Sequence, residues 1–336
     1  MNVEELFRQV GVDRDRYDDL HITRMLHAFV AVSNGEVVKV TEPLLEYCPL
    51  VSVLYRQWDE LKDRAARKKL IAEMTGEKIA QFGHFTERRE LERGSIAVPY
   101  GASEMMMFAV RRGAVDCAVT VCDGAGTVIA DRPELVQGIG ARMNGLFYTS
   151  RIPATIKRLE GRGCHVVFPD TAAIDQAAGT RRAAELGYRN IAVTVNGYLG
   201  GGLAELADVE REHGVSVTCI VVCTTGARRE RVEEIRDHAD MVWSCASASI
   251  REVVGSASVI QVSTAIPVFA VTEKGVKFLA SYRSEPDVFE QLDLAKQYLI
   301  AGNCDGTPVR MGGMNTFITE SELPVCSRRE PRPFTE

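Results

Sequence analysis

The pattern of apolar and polar positions changes near residue 100. Before that point, residues 28–41 alternate in polarity on both sides of Asn34-Gly35, which is the strongest short-range signal for a β-hairpin. Residues 53–82 then follow the polar period of a surface helix. Residues 1–100 therefore predict an N-terminal region made of a β-hairpin and helices.

Helical patterns alternate with short apolar runs between residues 101 and 300. The predicted helices cover residues 103–112, 133–144, 171–186, 203–213, 228–238, 247–254 and 285–300. The predicted strands cover residues 114–121, 165–168, 190–195, 215–222, 241–244, 259–262 and 267–271. Apolar strands that alternate with helices are typical of a parallel sheet covered on both faces. We therefore predict an α/β fold with a mainly parallel sheet, either as one domain or as two similar halves that divide near residue 197.

The last segment, residues 301–336, is rich in glycine and ends in a charged stretch with two prolines. Such a segment buries little apolar surface, so we predict a loosely ordered tail.

Composition narrows the class of protein. The chain has 336 residues, a net charge of −6 and no long basic run, which argues against nucleic acid as the main partner. No apolar stretch is long enough to cross a bilayer, and the amino terminus lacks the order of a signal peptide. The nine cysteines form no C-x-x-C pair, so we expect reduced thiols and a cytoplasmic protein. Its apolar faces and hairpin edge favour a homodimer.

Three of the predicted strands end on a cysteine that is followed by small residues typical of a helix start. These cysteines are Cys122, Cys223 and Cys245. The carboxyl ends of parallel strands face one crevice, so the three thiols could converge there as catalytic groups. The alternative is that each cysteine is an ordinary small apolar residue of the core.

Residues beside two of these thiols could bind a small anionic substrate. A helix start offers hydroxyls and free N–H groups to an anion, and it lowers the pKa of an adjacent thiol. The candidates are Asp123, Gly124, Thr127, Thr224, Thr225, Gly226 and Arg228. For the two threonines after Cys223, helix capping is the commoner role and is the favoured alternative.

Three further candidates lie in a turn that begins at a glycine. They are one histidine and two arginines. His84 has charged neighbours and is the best general acid or base, although a solvent-facing loop histidine would have the same surroundings. Arg88 and Arg89 form one of several arginine pairs that suit small anions. The scattered histidines show no spacing for a zinc site.

The glycine cluster at residues 196–202 is placed where a dinucleotide phosphate could meet a helix start. That fingerprint also needs an acidic residue near the end of the following strand, and this strand ends at Cys223 instead. We therefore expect neither a nicotinamide nor a flavin cofactor.

Several of these stretches together resemble the methanogenesis marker protein 8 family. The matching stretches are Glu46-Tyr-Cys48-Pro-Leu, Phe82-Gly-His-Phe-Thr-Glu-Arg-Arg89, Val121-Cys-Asp-Gly-Ala-Gly-Thr127, Pro133-Glu-Leu-Val-Gln-Gly-Ile-Gly140, Ile174-Asp-Gln-Ala-Ala-Gly179, Ile191-Ala-Val-Thr194, Cys223-Thr-Thr-Gly226 and residues 240–247. They lie between residues 28 and 275, whereas the tail with Cys304 and Cys326 does not match.

The resemblance implies an enzyme of coenzyme M synthesis, which converts sulfoacetaldehyde to 2-mercaptoethanesulfonate by reductive thiolation. It further implies that a sulfide or persulfide donor takes part and that arginine-rich loops seat the sulfonate. The cysteines that would bind a [4Fe–4S] cluster or hold a persulfide are Cys48, Cys122, Cys223 and Cys245.

Two other functions remain open. A non-catalytic protein that binds or assembles a metal, cluster or cofactor of the methanogenic or alkyl-coenzyme M apparatus would also use exposed cysteines, but it would need no anion pocket. A lyase or hydratase that uses a cluster as a Lewis acid would turn over without an added reductant.

Overall fold

The fold is a mixed α/β arrangement, seen in a computed structural model that describes residues 3–55, 57–199, 202–283, 288–327 and 331–333. The helices in these ranges are α1 Val3–Val10, α2 Pro49–Leu54, α3 Gln57–Glu60, α4 Arg64–Phe82, α5 Ala102–Arg111, α6 Pro133–Gly140, α7 Pro153–Glu160, α8 Gln176–Glu185, α9 Leu203–His213, α10 Arg229–His238 and α11 Glu273–Ala280. A π-helical turn covers Ile250–Val254, and short 3-10 turns cover Arg14–Arg16, Gly255–Ala257 and Phe289–Gln291.

The strands form one large sheet, one small sheet and one short pair. They are β1 His21–Met25, β2 Ala28–Ser33, β3 Glu36–Val40, β4 Leu45–Tyr47, β5 Cys117–Cys122, β6 Gly126–Ala130, β7 Leu146–Thr149, β8 His165–Val166, β9 Asn190–Asn196, β10 Ser216–Val222, β11 Met241–Trp243, β12 Ile260–Val262, β13 Val268–Ala270, β14 Tyr298–Ala301, β15 Thr307–Met311, β16 Met314–Glu320 and β17 Arg332–Pro333. The short pair joins β17 to β4.

The small sheet has the order β3-β2-β1-β7. The predicted hairpin is present, with Ser33 opposite Glu36 and both turn residues, Asn34 and Gly35, at positive φ. β7 comes from beyond residue 100 and pairs with β1, so this sheet is not built from the N-terminal region alone. Helix α4 packs its Ile71 and Met74 into the core under this sheet.

The large sheet has the order β15-β16-β14-β12-β13-β11-β10-β9-β5-β6-β8. The α/β class is as predicted, but the sheet is mixed rather than mainly parallel. Among the described residues, four of its ten neighbouring strand pairs are parallel and six are antiparallel. The parallel centre, β5-β9-β10-β11, is flanked by antiparallel strands. Side chains of β5 alternate between the two cores that cover the faces of this sheet.

The carboxyl-terminal part differs from the prediction in two respects. Residues 298–301 of the predicted helix 285–300 form strand β14, whereas residues 285–287 lie outside the described residues. The predicted loose tail contains the hairpin β15–β16, which turns at Gly312 and Gly313 and places Met311 and Ile318 in the main core. Short buried apolar runs such as β14 have no periodicity that separates a strand from a helix.

The segment after Cys122 is also not the helix start that was expected. β5 turns directly into the antiparallel strand β6, with Cys122 opposite Gly126. Gly124 and Gly126 both adopt positive φ, which glycine tolerates without steric cost. The two glycines therefore mark a tight turn between strands. No helix within the described residues is long and apolar enough to span a membrane.

Candidate functional site

Two of the predicted cysteines lie side by side at the ends of neighbouring parallel strands. β10 pairs with β11 in the register Ile220 to Met241. Cys223 directly follows β10, and Cys245 lies two residues after β11. Burial, and after it the nearby charge of Cys245, raises the pKa of Cys223 to about 12. The two thiols are therefore close enough to interact.

Both cysteines have a backbone conformation that is uncommon for residues other than glycine. Their φ angles are 59° at Cys223 and 47° at Cys245. A residue held in this region costs on the order of 1–3 kcal/mol, and such residues are concentrated at functional sites. The backbone at the pair is consistent with a functional role.

Cys48 lies near Cys245. It is the residue before α2, and its sulfur interacts with the backbone N–H groups of Val51 and Leu50. Burial raises the pKa of Cys48 despite these N–H groups, and the charge of Cys245 raises it further. Cys48, Cys223 and Cys245 thus form one group, which we call the thiol cluster.

Cys122 does not belong to the thiol cluster. Its side chain is fully buried in the core beneath α5 and α6, and its Sγ donates to the carbonyl of Asp123 at 3.5 Å. Burial, together with the Asp123 carboxylate, raises the pKa of this thiol well above its ordinary value. Because β5 continues into a hairpin, Cys122 is a core residue and not part of an open strand end.

Arg24 brings a positive charge to the thiol cluster. It lies on β1 and is 5% exposed. Its Nη2 donates to the carbonyl oxygens of Cys223 at 3.2 Å and Thr225 at 2.9 Å. Burial lowers the pKa of Arg24, and the nearby charges of Cys223 and Cys245 oppose that effect. The guanidinium therefore lies beside both thiols.

One nitrogen of Arg24 is left for a ligand. Its Nη1 is buried and has no hydrogen-bond partner in the described part of the chain. The ionisable groups near its charge are two thiols and the Tyr198 phenol, and no described carboxylate is among them. The guanidinium carbon lies 4.3 Å from the ring centre of Tyr198 and 5.1 Å from that of Phe147. A buried cation with a free donor is costly unless an anion completes its hydrogen bonds.

The expected lowering of the thiol pKa values is wrong for this site. Cys223 is followed by a turn, and α10 begins only at Arg229, so no helix amino terminus faces the sulfur. Burial then dominates, and it disfavours the charged thiolate. The thiols of Cys48 and Cys223 are consequently protonated near neutral pH.

His27 is a further titratable group near Arg24. It is half-buried at the turn between β1 and β2, where its ring lies against Gly226 and 6.0 Å from the ring of Tyr198. Burial, and after it the charge of Arg24, lowers the pKa of His27 to about 4. The imidazole of His27 is therefore neutral near neutral pH.

Sequence reasoning did not identify Arg24, His27 or Tyr198. In the structure every residue of His21–Met25 is buried, including Arg24. A buried arginine needs a partner, but its burial is not visible in the sequence. Nothing in the local sequence shows that this strand lies over the ends of β10 and β11.

The predicted substrate ligands Arg89 and Asp123 instead form a buried structural ion pair. Arg89 Nε donates to Asp123 Oδ1 at 2.8 Å, and its other nitrogens donate to the carbonyls of Glu90, Gly138 and Ile139. Burial alone would raise the pKa of Asp123, but Arg89 and the backbone N–H of Phe85 hold it well below its usual range. Every side-chain nitrogen of Arg89 and both carboxylate oxygens of Asp123 thus have partners within the protein.

Three further predicted ligands also have structural partners. The Gly124 amide donates to Thr149 Oγ1 at 2.7 Å. Thr127 Oγ1 donates to Gln176 Oε1 and accepts from the Asp175 amide. Thr224 Oγ1 donates to the carbonyls of Trp243 and Ser244. Gly124, Thr127 and Thr224 connect loops to strands through these hydrogen bonds, and all three residues are buried.

The remaining predicted residues fall into two groups. Thr225 and Gly226 lie beside the thiol cluster, where Thr225 Oγ1 accepts from the Ala246 amide at 3.0 Å and Gly226 contacts His27. Arg88 and Arg228 are exposed, and Arg228 caps the start of α10 without a side-chain hydrogen bond to it. The structure gives these two arginines no direct contact with the thiols.

His84 is buried rather than solvent-facing. It is 2% exposed, and its Nδ1 lies 3.9 Å from Asp123 Oδ2, which is too far for a hydrogen bond. Burial, and after it Arg89, lowers its pKa. It therefore lies in the structural surroundings of Asp123 and not in the thiol cluster.

Comparison with known proteins places the chain among archaeal proteins. Residues 21–283 match the family model described as uncharacterized protein conserved in archaea (DUF2099). The chain belongs to this family. It is 37% identical over 273 residues to the uncharacterized protein MJ0054 of Methanocaldococcus jannaschii, an alignment that covers 80% of this chain and 92% of that protein. No solved structure matches the chain.

The DUF2099 match contains the whole candidate site. Arg24, His27 and the three residues of the thiol cluster all lie within residues 21–283, whereas Cys304 and Cys326 lie outside. Cys304 donates to backbone carbonyls of β14 and β16, so its contacts are with the neighbouring strands.

The four predicted cluster ligands of this DUF2099 protein do not all fit one cofactor. A [4Fe–4S] cluster is held by four thiolates, and Cys122 is fully buried at the β5–β6 turn, whereas the other three cysteines are only partly buried. Among the described residues, no three His, Cys, Asp or Glu side chains are arranged to hold a metal ion. The three thiols of the thiol cluster are therefore not placed to hold a metal ion between them. The glycine loop at 196–202 includes residues 200 and 201, which lie outside the described residues.

Proposed function

We propose that this DUF2099 protein catalyses reductive sulfur chemistry on a small anionic carbonyl compound. The observation that carries the proposal is the position of Arg24, whose guanidinium lies near Cys223 and Cys245 and whose Nη1 has no partner in the described residues. A carboxylate or sulfonate that accepts from this donor would be held next to two thiols. The resemblance to the methanogenesis marker 8 family supports a sulfonate, and it makes sulfoacetaldehyde the specific candidate.

The thiol pair would supply the two electrons of the reaction. In sum, an aldehyde, hydrogen sulfide and two cysteine thiols give an alkyl thiol, water and one disulfide. Sulfide adds to the carbonyl carbon, and loss of water leaves a thioaldehyde. One cysteine sulfur attacks the thioaldehyde sulfur while a proton adds to carbon, which gives a mixed disulfide. The second cysteine then releases the product thiol and closes the Cys223–Cys245 disulfide, which an external dithiol reduces again.

The raised pKa values favour this reducing role. A pair whose thiolates are stabilised is a good oxidant, because stabilisation of the reduced form makes the disulfide easy to reduce. Burial does the opposite at Cys223, since it disfavours the thiolate.

The test is anaerobic turnover of sulfoacetaldehyde with sodium sulfide and dithiothreitol, followed by mass spectrometry of the thiol product. Cys223→Ala and Cys245→Ala should each abolish the product, whereas Cys122→Ala should retain it. Arg24→Gln should raise KM more than it lowers kcat, and Arg24→Lys should recover part of the loss. Product formation that survives both single-cysteine changes would overturn the proposal.

A second function is favoured by the position of Cys48 beside Cys245. Thiols are the ligands that an iron-sulfur cluster or a soft metal prefers, and Cys48 and Cys245 would supply two of them. Anaerobic reconstitution with iron and sulfide, followed by iron analysis and visible absorption, tests this function. An assembly protein should retain iron when Arg24→Gln is introduced and lose it in Cys48→Ala, whereas the enzyme should lose substrate affinity in Arg24→Gln.

A further inference from the structure

A small cavity lies next to the thiol cluster on the other face of β1. Its volume is about 20 Å³, and its lining includes Thr23, Thr75, Lys78, His84 and Asn144. That volume is enough for one water-sized species. Thr23 and Met25 face this cavity, whereas Arg24 between them faces Cys223, because successive side chains of a strand point to opposite sides.

The cavity is lined by basic side chains. The Lys78 amine donates to the Arg142 carbonyl at 3.0 Å and to Asn144 Oδ1. An ammonium group has three donors, so one remains for a ligand. Arg142 lies close enough to lower the pKa of Lys78 below its usual value, in addition to the larger effect of burial. No described carboxylate forms an ion pair with Lys78, and its charge is therefore not balanced by the protein.

His84 contributes a buried imidazole to the lining of the same cavity. Both of its ring nitrogens are buried without a hydrogen-bond partner in the described ranges. The nearby carboxylate, Asp123, is already paired with Arg89. A buried polar group without a partner costs on the order of 1–3 kcal/mol, so an unpaired imidazole in a lined cavity indicates a ligand or a bound water.

One residue connects this cavity to the thiol cluster. The backbone carbonyl of Asn144 accepts from Cys223 Sγ at 3.5 Å, while its side-chain oxygen accepts from Lys78. The next residue, Gly145, is so close to Cys223 that an added Cβ would lie 2.4 Å from Sγ. A species in the cavity is thus separated from the Cys223 sulfur by a single backbone segment.

We propose that the cavity of Lys78, His84 and Arg142 binds one monovalent anion of about the size of water, and that hydrosulfide is this anion. The identification of hydrosulfide rests on the proposed function, which requires sulfide beside the thiol pair. The lining also contains the apolar side chains of Met25 and Met143, which favour a weakly hydrated anion over a strongly hydrated one. The cavity would hold the sulfur donor while Arg24 holds the carbonyl substrate.

The experiment measures anion binding without turnover. Bromide and hydrosulfide are titrated into protein with ¹³C-labelled histidine, and the His84 signal is assigned from His84→Gln. We expect a saturable shift of that signal with both anions, and at least a tenfold weaker affinity in Lys78→Met. Lys69→Met is the matched control, because Lys69 lies on the same helix, is exposed and pairs with Glu73. Its affinity should equal that of the wild type.

Bromide-soaked crystals of the wild type give a second measurement that needs no variant. An anomalous peak between Lys78 and His84 supports the proposal, whereas a water at that position together with no saturable shift overturns it. Equal anion affinity in both lysine variants would also overturn it.

If bromide binds but no thiol product forms from sulfide and aldehyde, the proposed function fails and the anion site stands. If product forms with an unchanged KM for sulfide in Lys78→Met, the function stands and the site fails.

Discussion

At the scale of single residues, two buried arginines show what separates a structural group from a functional one. Arg89 is 2% exposed, and its nitrogens donate to Asp123 and to three backbone carbonyls. Arg24 is buried almost as deeply, yet its Nη1 has no partner in the described residues. The first arrangement is complete without a ligand, and the second is completed by an anion. This difference, rather than the presence of arginine, locates the site.

The Arg89–Asp123 pair should therefore matter for stability. Asp123→Asn leaves a buried guanidinium without its counter-charge, and we expect a loss of about 3–5 kcal/mol in the free energy of unfolding. Urea denaturation measures the loss. Asp208→Asn removes the exposed partner of Arg211 and should cost less than about 0.5 kcal/mol. A loss for Asp123→Asn as small as that of Asp208→Asn would show that the pair is not essential to the fold.

His27 should make the protein less stable in mild acid. Its pKa is about 4 in the fold and about 6.5 in the unfolded chain, so the unfolded chain binds more protons between these values. Stability therefore rises from pH 4 to pH 6.5 and is lost as the pH falls through this window. Between about pH 7 and pH 5 we expect His27 to contribute a loss of about 1–2 kcal/mol.

His27→Asn tests this contribution, because asparagine tolerates the positive φ at this turn. The variant should show a smaller difference between urea unfolding at about pH 7 and at about pH 5. The control is His238→Asn, at an exposed histidine that ends α10. A pH dependence that is the same in wild type and His27→Asn would contradict the assignment.

At the scale of elements, the turn after β5 decides which cysteines meet. β10 and β11 are neighbouring parallel strands, so their carboxyl ends lie side by side. The apolar runs before Cys223 and Cys245 predict two such strand ends from the sequence. Cys122 has the same apolar run before it, but β6 folds back against β5 and keeps it in the core. Arg24 and His27 depend on the pairing of β1 with β7, which joins segments more than a hundred residues apart. Local sequence patterns contain no information about such pairing.

The β5–β6 turn should not tolerate a side chain at Gly126. A Cβ there would lie 2.2 Å from the backbone carbonyl oxygen of Ala172, in addition to the cost of positive φ. We expect Gly126→Ala to lower the free energy of unfolding by more than about 2 kcal/mol. Gly163→Ala is the matched control, since Gly163 also has positive φ but its Cβ would meet nothing within 4 Å.

Gly163→Ala should cost about 1 kcal/mol, which isolates the cost of the backbone conformation. The difference between the two variants in urea denaturation is then the steric cost at Gly126. Equal losses in the two variants would mean that the turn can move away from Ala172.

At the scale of the whole molecule, the site depends on the contact between two sheets. Arg24 belongs to the small sheet, whereas the thiols of Cys223 and Cys245 follow strands of the large one. The hydrogen bonds from Arg24 to the carbonyls of Cys223 and Thr225 connect the two sheets. Cys48, the third residue of the thiol cluster, lies in the segment before α2. A site shared between sheets requires that they keep one relative position, so we expect them to unfold together.

The two tryptophans of the chain can test this cooperativity, because Trp58 is buried in the core of the small sheet and Trp243 in that of the large one. Trp243→Phe leaves Trp58 as the fluorescent reporter, and Trp58→Phe leaves Trp243. Met311→Ala creates a cavity in the large core, at the end of β15, and should cost about 2–4 kcal/mol. If the molecule is one cooperative unit, Met311→Ala lowers the urea midpoint seen by Trp58 as much as that seen by Trp243. A shift confined to Trp243 would show that the small sheet unfolds independently, and the geometry of Arg24 over the thiols would then not be fixed by the fold.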